Sequence, residues 1–285
     1  MFERLVVAVD HSAASLALAH AVQGMAALGT KDVLLLQCIT VSDLTPILLT
    51  YTLEYLEKNL KELKSILMDS GFNVETRIVP GSPRSEAYRI AIREHYSAIV
   101  TGARKHAAVE PLFGGLAFDM IHHAPKPVLI VRISNCMTAP VDFGAHVLLP
   151  TDFSDNAELA FSQLTALVKC GARRVTLLHV QDQSRIGKAL EEKLGEYNDI
   201  DGRRLEQMKQ KLEELGAEVQ TLIRFGSPSV ETLKTIRELN VSLVVMGSQG
   251  RGFVQELFLG SVSHNIARHS DASVLLIPAR KHMAP

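Results

Sequence analysis

Cysteine is scarce. The three present, Cys38, Cys136 and Cys170, are odd in number and far apart. That excludes a closed disulfide framework and any Cys-based metal-ligand spacing, and points to reduced intracellular thiols. Excess charge is lacking too: 30 Lys and Arg stand against 31 Asp and Glu, a formal net charge of −1. Nothing in that balance provides the electrostatic footprint of a nucleic-acid or anionic-membrane binder. No apolar run approaches the roughly 18 residues of a transmembrane helix. Met1-Phe2-Glu3-Arg4-Leu5 leads directly into a strand-like run rather than a signal peptide, so the cytoplasm is the expected compartment. Two phosphate-binding signatures are also missing. There is no Gly-Lys-Ser/Thr of a Walker A loop and no closely spaced Gly-x-Gly-x-x-Gly of a dinucleotide fold. No Ser-His-Asp or Cys-His arrangement is legible from order or spacing.

What is present is repetition. The 285 residues, 47% apolar and 21% charged, suit two globular domains of ordinary size. Leu5-Val6-Val7-Ala8-Val9-Asp10-His11-Ser12 is echoed by Val147-Leu148-Leu149-Pro150-Thr151-Asp152-Phe153-Ser154, and Gly81-Ser82-Pro83 by Gly226-Ser227-Pro228. Ile99-Val100-Thr101-Gly102 is echoed by Val244-Val245-Met246-Gly247, and Val128–Val131 by Val274–Ile277. One repeat at half the chain length is a tandem duplication, not a solenoid with its period of roughly 20–50 residues. Domains are expected over 1–137 and 145–285, with linker composition from Ser134 to Gly144.

Each half alternates strand and helix. Strands are expected near Leu5–Asp10, Val33–Ile39, Asn73–Val79, Ala98–Thr101 and Val128–Arg132, then near Val147–Asp152, Val175–Val180, Glu218–Arg224, Ser242–Met246 and Val274–Ile277. Several are unbroken aliphatic runs, as in parallel strands covered on both faces. Ser82-Pro83 and Ser227-Pro228 read as capping serines before a proline at the first helical position. Gly71 and Gly216 fall where helix C-cap glycines belong. Leu53, Leu56, Leu60, Leu63 and Leu67 form one stripe of a helix lying on a sheet. The fold class is therefore α/β: two tandem, doubly wound, five-stranded parallel-sheet domains of Rossmann-like type.

The most informative stretch comes after the run Leu243–Met246. It reads Met246-Gly247-Ser248-Gln249-Gly250-Arg251-Gly252, and later Gly260-Ser261-Val262-Ser263. Glycines leaving a buried strand let backbone N–H groups come close to a ligand. Serines at the start of a following helix offer hydroxyls and free N–H groups to an anion. The spacing of Gly, two residues, Gly, nine residues and Gly-Ser resembles the nucleotide-binding motif of the universal stress protein family. With the tandem order of elements, nearly the whole chain resembles a tandem member of that family, whose domains have the adenine nucleotide alpha hydrolase-like fold.

The resemblance implies an adenine-nucleotide site in the second half. Pro150, Thr151, Asp152 and Ser154 are similar to the first-strand motif beside adenine and ribose. Val180, ending Leu177-Leu178-His179-Val180, would contact adenine. Met246, Gly247 and Gly250 would line the ribose and α-phosphate. Gly260, Ser261, Val262 and Ser263 would hold the outer phosphates, with Arg251 a further phosphate candidate. The expected ligand is ATP, ADP or AMP, with Mg²⁺ accompanying ATP. The implied role is a stress-response sensor or regulator and not an enzyme. The alternatives are a slow ATPase and a structural or interaction protein without a nucleotide. The first half departs from the pattern: Ala8 and Val9 replace Pro and Thr, Lys105 replaces the second glycine, Leu116 replaces the serine, and Phe118 stands where a small polar residue belongs. It reads as a degenerate site, or as an anion pocket built on Arg104, Lys105 and His106. In the family the last strands of two domains pair antiparallel. Val128–Arg132 and Val274–Ile277 are therefore expected to pair within this chain, and a further homodimer is compatible with that. His122-His123 and His179 read as terminal and packed histidines, not as metal ligands or bases.

Overall fold

The computed structural model describes residues 2–39, 46–104, 115–134, 137–182, 194–250 and 259–279. The chain divides into two units, Met1–Asp142 and Phe143–Pro285.

The first unit contains β1 (Arg4–Val9), α1 (Ala13–Val22), β2 (Asp32–Ile39), α2 (Pro46–Met68), β3 (Asn73–Pro80), α3 (Pro83–Arg93), β4 (Ala98–Arg104), α4 (Gly115–Asp119) and β5 (Val128–Ile133). A 3₁₀ turn over Gln23–Leu28 continues α1. Its strands pair in the order β3-β2-β1-β4-β5, each pair parallel. The second unit repeats the plan with β6 (Val147–Thr151), α5 (Asp155–Lys169), β7 (Arg174–Gln181), α6 (Leu194–Glu213), β8 (Glu218–Phe225), α7 (Pro228–Glu238), β9 (Leu243–Gly247), α8 (Ser261–His269) and β10 (Ser273–Ile277). Its order is β8-β7-β6-β9-β10, again all parallel. The doubly wound architecture expected from the aliphatic runs is the one observed. Val6, Val7, Leu148 and Leu149 are wholly buried, as central parallel strands require.

Local chemistry sets the boundaries. Leu56, Leu60, Leu63 and Leu67 of α2 are buried as one stripe. Gly71 and Gly216 close α2 and α6 at φ +83° and +90°, each donating its N–H to a carbonyl of the last turn, Met68 and Glu213 respectively. Only glycine enters that left-handed region without strain. Ser82 and Ser227 do occupy the N-cap position before proline, but neither hydroxyl makes the capping hydrogen bond expected of it. Ser227 Oγ instead faces Ser229 Oγ at 3.4 Å. The serines whose hydroxyls do cap are Ser12, accepting from the Ala14 N–H, and Ser154, accepting from the Ala157 N–H.

One buried histidine makes the second unit pH-sensitive. His146 is 4% exposed, with Nδ1 3.1 Å from the Leu239 carbonyl and Nε2 2.9 Å from Thr176 Oγ1. A carbonyl only accepts, so Nδ1 carries the proton and Nε2 accepts from threonine. Burial, helped by Arg174, holds this imidazole below its ordinary value of 6.5. The native state thus binds fewer protons here than the unfolded chain does below 6.5. Its stabilisation is complete above that pH and is lost as pH falls through it. Urea unfolding between pH 7.5 and 5.5 should show a wild-type loss that is smaller in His146→Gln, by up to about 1 kcal/mol per pH unit. Coincident pH profiles of the two proteins would contradict this assignment.

Candidate functional site

In each unit the strand order reverses between its first and fourth strands, the place where open α/β sheets bind ligands. In the second unit β6 and β9 pair only through Val147–Leu243 and Leu148–Val244. Beyond those two rungs β6 stays with β7, and β9 with β10. The two strands separate, and a crevice opens at their carboxyl ends. A cleft of about 460 Å³ lies there, a size suited to a small-molecule ligand.

The floor is the end of β6. Thr151 Oγ1 accepts the Phe153 N–H at 3.1 Å, and Asp152 Oδ1 accepts from both the N–H and the hydroxyl of Ser154 at 3.1 and 2.6 Å. These bonds hold Phe153 at φ +57°, a left-handed conformation costly for a non-glycine residue. The Phe153 ring packs 4.7 Å from the His179 ring, and the Arg204 guanidinium lies 5.2 Å from its centroid. Ser154 therefore caps α5, and the carboxylate of Asp152 is left to shape the cleft.

The second wall is the end of β9 and its loop. Ser248 donates its N–H to the Ile277 carbonyl and Gly260 donates its N–H to the Ser248 carbonyl, both at 2.8 Å. Asn156, on the first turn of α5, accepts the Gln249 N–H at 2.8 Å and donates to the Ile277 carbonyl at 3.1 Å. A Cβ on Gly247 would meet Asn156 Oδ1 at 2.7 Å and the Asn156 carbonyl at 3.0 Å. A Cβ on Gly250 would stand 2.7 Å from Asp152 Oδ2. Both glycines are required by close approach, and Gly250 brings the loop against the aspartate.

The third wall is the N-terminus of α8. His264 donates the first intrahelical bond, to Gly260 at 2.8 Å. The N–H groups of Ser261, Val262 and Ser263 precede it and have no partner within the helix. Ser261 is exposed. Ser263 is buried, and its hydroxyl donates to the Gly247 carbonyl at 2.8 Å, so it braces the loop while its N–H stays at the helix end.

Of the residues singled out from the sequence, Pro150, Thr151, Asp152, Val180, Met246, Gly247, Gly250, Gly260, Ser261, Val262 and Ser263 come together around this one cleft. Ser154 stands behind it as the cap of α5. Arg251 lies outside the described residues. Sequence reasoning missed Asn156, Gln181, Asp182, Ser229 and Thr232. An asparagine inside the first turn of a helix is a weak signal, because that side chain competes for backbone partners. His179 is packed, as expected: its Nδ1 is 2.8 Å from the Thr151 carbonyl and its Nε2 3.3 Å from Asp201 Oδ2 on α6. No lysine or arginine is among the described lining residues. Among the described residues no three His, Cys, Asp or Glu side chains are grouped to hold a metal.

The first unit keeps the floor and alters the wall. Asp10 Oδ1 accepts from the N–H and hydroxyl of Ser12 and from the Ser15 hydroxyl at 2.6 to 2.9 Å. Burial works to raise this carboxyl, but those hydrogen bonds outweigh it and hold it below the ordinary carboxylate range. The wall differs because β4 does not stop at its glycine. Beyond the Gly102–Val131 rung it pairs on through Ala103–Arg132 and Arg104–Ile133, where β9 ends at Gly247. A Cβ on Gly102 would meet the Ile133 and Leu18 side chains, not a polar brace. Strand continues where the second unit turns into its loop. Leu116 lies in α4; Lys105 and His106 are outside the described residues.

Comparison with known proteins agrees with this fold. The model of the universal stress protein family matches residues 1–132 and 145–278. Universal stress protein MJ0577 of Methanocaldococcus jannaschii is 31% identical over 150 residues, covering 46% of this chain and 93% of that protein. A universal stress protein from Archaeoglobus fulgidus has a similar crystal structure, with a TM-score of 0.78 at 23% identity over 97% of this chain and 98% of that one. A putative universal stress protein from Pseudomonas aeruginosa has a TM-score of 0.65 at 16% identity, covering 97% and 93%. At those identities the two structures speak for the fold alone.

Proposed function

The chain belongs to the universal stress protein family, and from that premise we propose that its second unit binds one adenine nucleotide and acts as a stress-response sensor or regulator. The observation that carries this reading is the contrast between the halves. The second unit brings Asp152, Gly250 and the α8 N-terminus around one cleft, whereas in the first unit strand pairing continues through Ala103 and Arg104. Asp152 is an acceptor suited to ribose hydroxyls and a poor neighbour for phosphate, so the sugar lies at its end. The phosphates lie at the α8 N-terminus, where free N–H groups and the helix dipole favour anions. ATP, ADP and AMP all fit that description, and Mg²⁺ would accompany ATP.

A sensor requires that the nucleotide bind two conformations of the protein with different affinity, so that occupancy shifts a surface read by a partner. The cytoplasm is the proposed compartment. Pairing of β5 with β10 inside the chain, and any further homodimer, belong to the same proposal and rest on the sequence and the family resemblance.

The runner-up is a slow ATPase. Phosphoryl transfer depends on cations around the transferred group and a residue that orients the attacking nucleophile. The described lining residues supply no lysine or arginine for the first task. The purified chain should release an adenine nucleotide on denaturation, identified by mass spectrometry, and should turn over ATP below about 1 s⁻¹, the low end of ordinary enzymes. Faster turnover that scales with protein and is lost with Asp152→Ala would favour the enzyme. No nucleotide recovered, and none bound on addition, would leave the structural reading.

A further inference from the structure

The turn after Asp152 is strained in the second unit and relaxed in the first. Phe153 sits at φ +57°, with its N–H accepted by Thr151 Oγ1, while Ser154 bonds to Asp152 Oδ1. Val9, Asp10 and His11 hold the matching places in the first unit. Asp10 makes the same bonds to Ser12, but Val9 has no hydroxyl to accept the N–H of His11, and His11 is not left-handed. One design of turn is thus seen in two backbone states. A non-glycine residue keeps a left-handed φ only where its surroundings enforce it, and such strain gathers at ligand sites and switches.

Phe153 also touches a helix. Its ring lies 4.7 Å from the His179 ring and 5.2 Å from the Arg204 guanidinium of α6. One turn earlier on α6, Asp201 Oδ2 is 3.3 Å from His179 Nε2 and accepts from Gln181 Nε2 at 3.1 Å. Asp201 and Arg204, three residues apart, share one helix face. Between them stands Gly202, which has no positive φ and no packed neighbour within 4 Å of where a Cβ would be. Neither packing nor backbone demands that glycine, and in a helix interior it is destabilising. α2, aligned with α6 on the closing glycines Gly71 and Gly216, has Leu56, Glu57 and Asn59 instead. The strained turn, the weakened helix and the contacts between them occur together, in the unit that has the cleft.

We propose that α6 is the surface through which the cleft reports its occupancy, with Phe153 as the relay. This rests on the adenine-nucleotide reading above and names the responding element of the proposed sensor. A ribose on Asp152 Oδ2 fixes the carboxylate whose Oδ1 forms the turn. That favours the left-handed Phe153 and keeps its ring against His179 and Arg204. With the cleft empty, strain shifts the turn toward the relaxed state shown by His11, the ring withdraws, and α6 loosens at Gly202. The ligand acts by binding the two states with different affinity. Arg203, Arg204, Glu206 and Gln207 are exposed on α6, so the change reaches solvent.

The test is amide hydrogen exchange of the full chain with and without saturating ATP, read by mass spectrometry. In the wild type, ATP should slow exchange over 199–206 of α6 by about fivefold or more, the low end of couplings between sites. The matching segment of α2, 54–61, should not change. Phe153→Leu removes the ring, and Arg204→Ala the cation at an exposed position; each should leave α6 exchanging alike with and without ATP. Gly202→Ala should slow exchange in the absence of ATP. Melting curves check that the variants fold, and Arg204→Ala carries the test if Phe153→Leu does not. If ATP binds one per chain and 199–206 is unmoved, or responds as fully in both variants, the relay falls while the adenine reading stands. If the wild type binds no ATP, the adenine reading falls and the relay with it.

Discussion

Gly250→Val is expected to weaken adenine-nucleotide binding by about a hundredfold while leaving the melting temperature almost unchanged. The backbone of Gly250 lies outside the left-handed region, so a side chain there adds no intrinsic strain. The damage comes from a collision. The new Cβ stands 2.7 Å from Asp152 Oδ2. The other carboxylate oxygen is tied to Ser154 and cannot move without releasing that turn. Valine therefore turns Oδ2 away from its place at the proposed ribose end and fills space the sugar would occupy. Losing one to two hydrogen bonds to a charged acceptor, each worth about 1.5–3 kcal/mol, accounts for the hundredfold change, about 2.7 kcal/mol. Calorimetry beside a thermal melt makes the measurement, and affinity within threefold of wild type would contradict it.

The second large effect is on stability. Asn156 fastens two elements with one side chain: it accepts the Gln249 N–H and donates to the Ile277 carbonyl, at 7% exposure. Asn156→Leu leaves the part-buried Gln249 N–H without this acceptor, at about 1–3 kcal/mol, and removes one of two donors to the Ile277 carbonyl, which keeps the Ser248 N–H. The second unit should lose about 1–3 kcal/mol, a drop of about 4–10 °C in its melting transition. Nucleotide binding should weaken as well, because the start of the loop is no longer held. A shift below about 2 °C in differential scanning calorimetry would show that Asn156 is not the brace described here.

Gly250 and Asn156 also differ in how plainly the sequence announces them. Gly250 is legible, since glycines leaving an aliphatic run at set spacing have few other uses. The ten strands are legible for the same reason: runs such as Leu5–Val9 and Val274–Ile277 have one way to be buried on both faces. The switch point comes from the repeat order. Asn156 is not legible, because its partners are 93 and 121 residues away and nothing local announces them. Gln181 is hidden likewise, its amide fixed by an aspartate on a helix 20 residues later. The aliphatic run ends β4 at Thr101, but the strand reaches Arg104. Ala103 and Arg104 are no strand signal by themselves, and the ladder is extended by Arg132 and Ile133 across from them. Position alone gives the hydroxyls of Ser82 and Ser227 a capping role, and position does not fix where a hydroxyl points.

The central claim is asymmetry: two similar units, one adenine-nucleotide site. Native mass spectrometry of the intact chain titrated with ATP tests it most directly. The geometry at Asp152, Gly250 and Ser261, set against the continuing strand at Ala103 and Arg104, predicts saturation at one nucleotide per chain, reached in Gly250→Val only at about a hundredfold higher ATP. Saturation at two per chain, or one per chain that survives Gly250→Val unchanged, would contradict it.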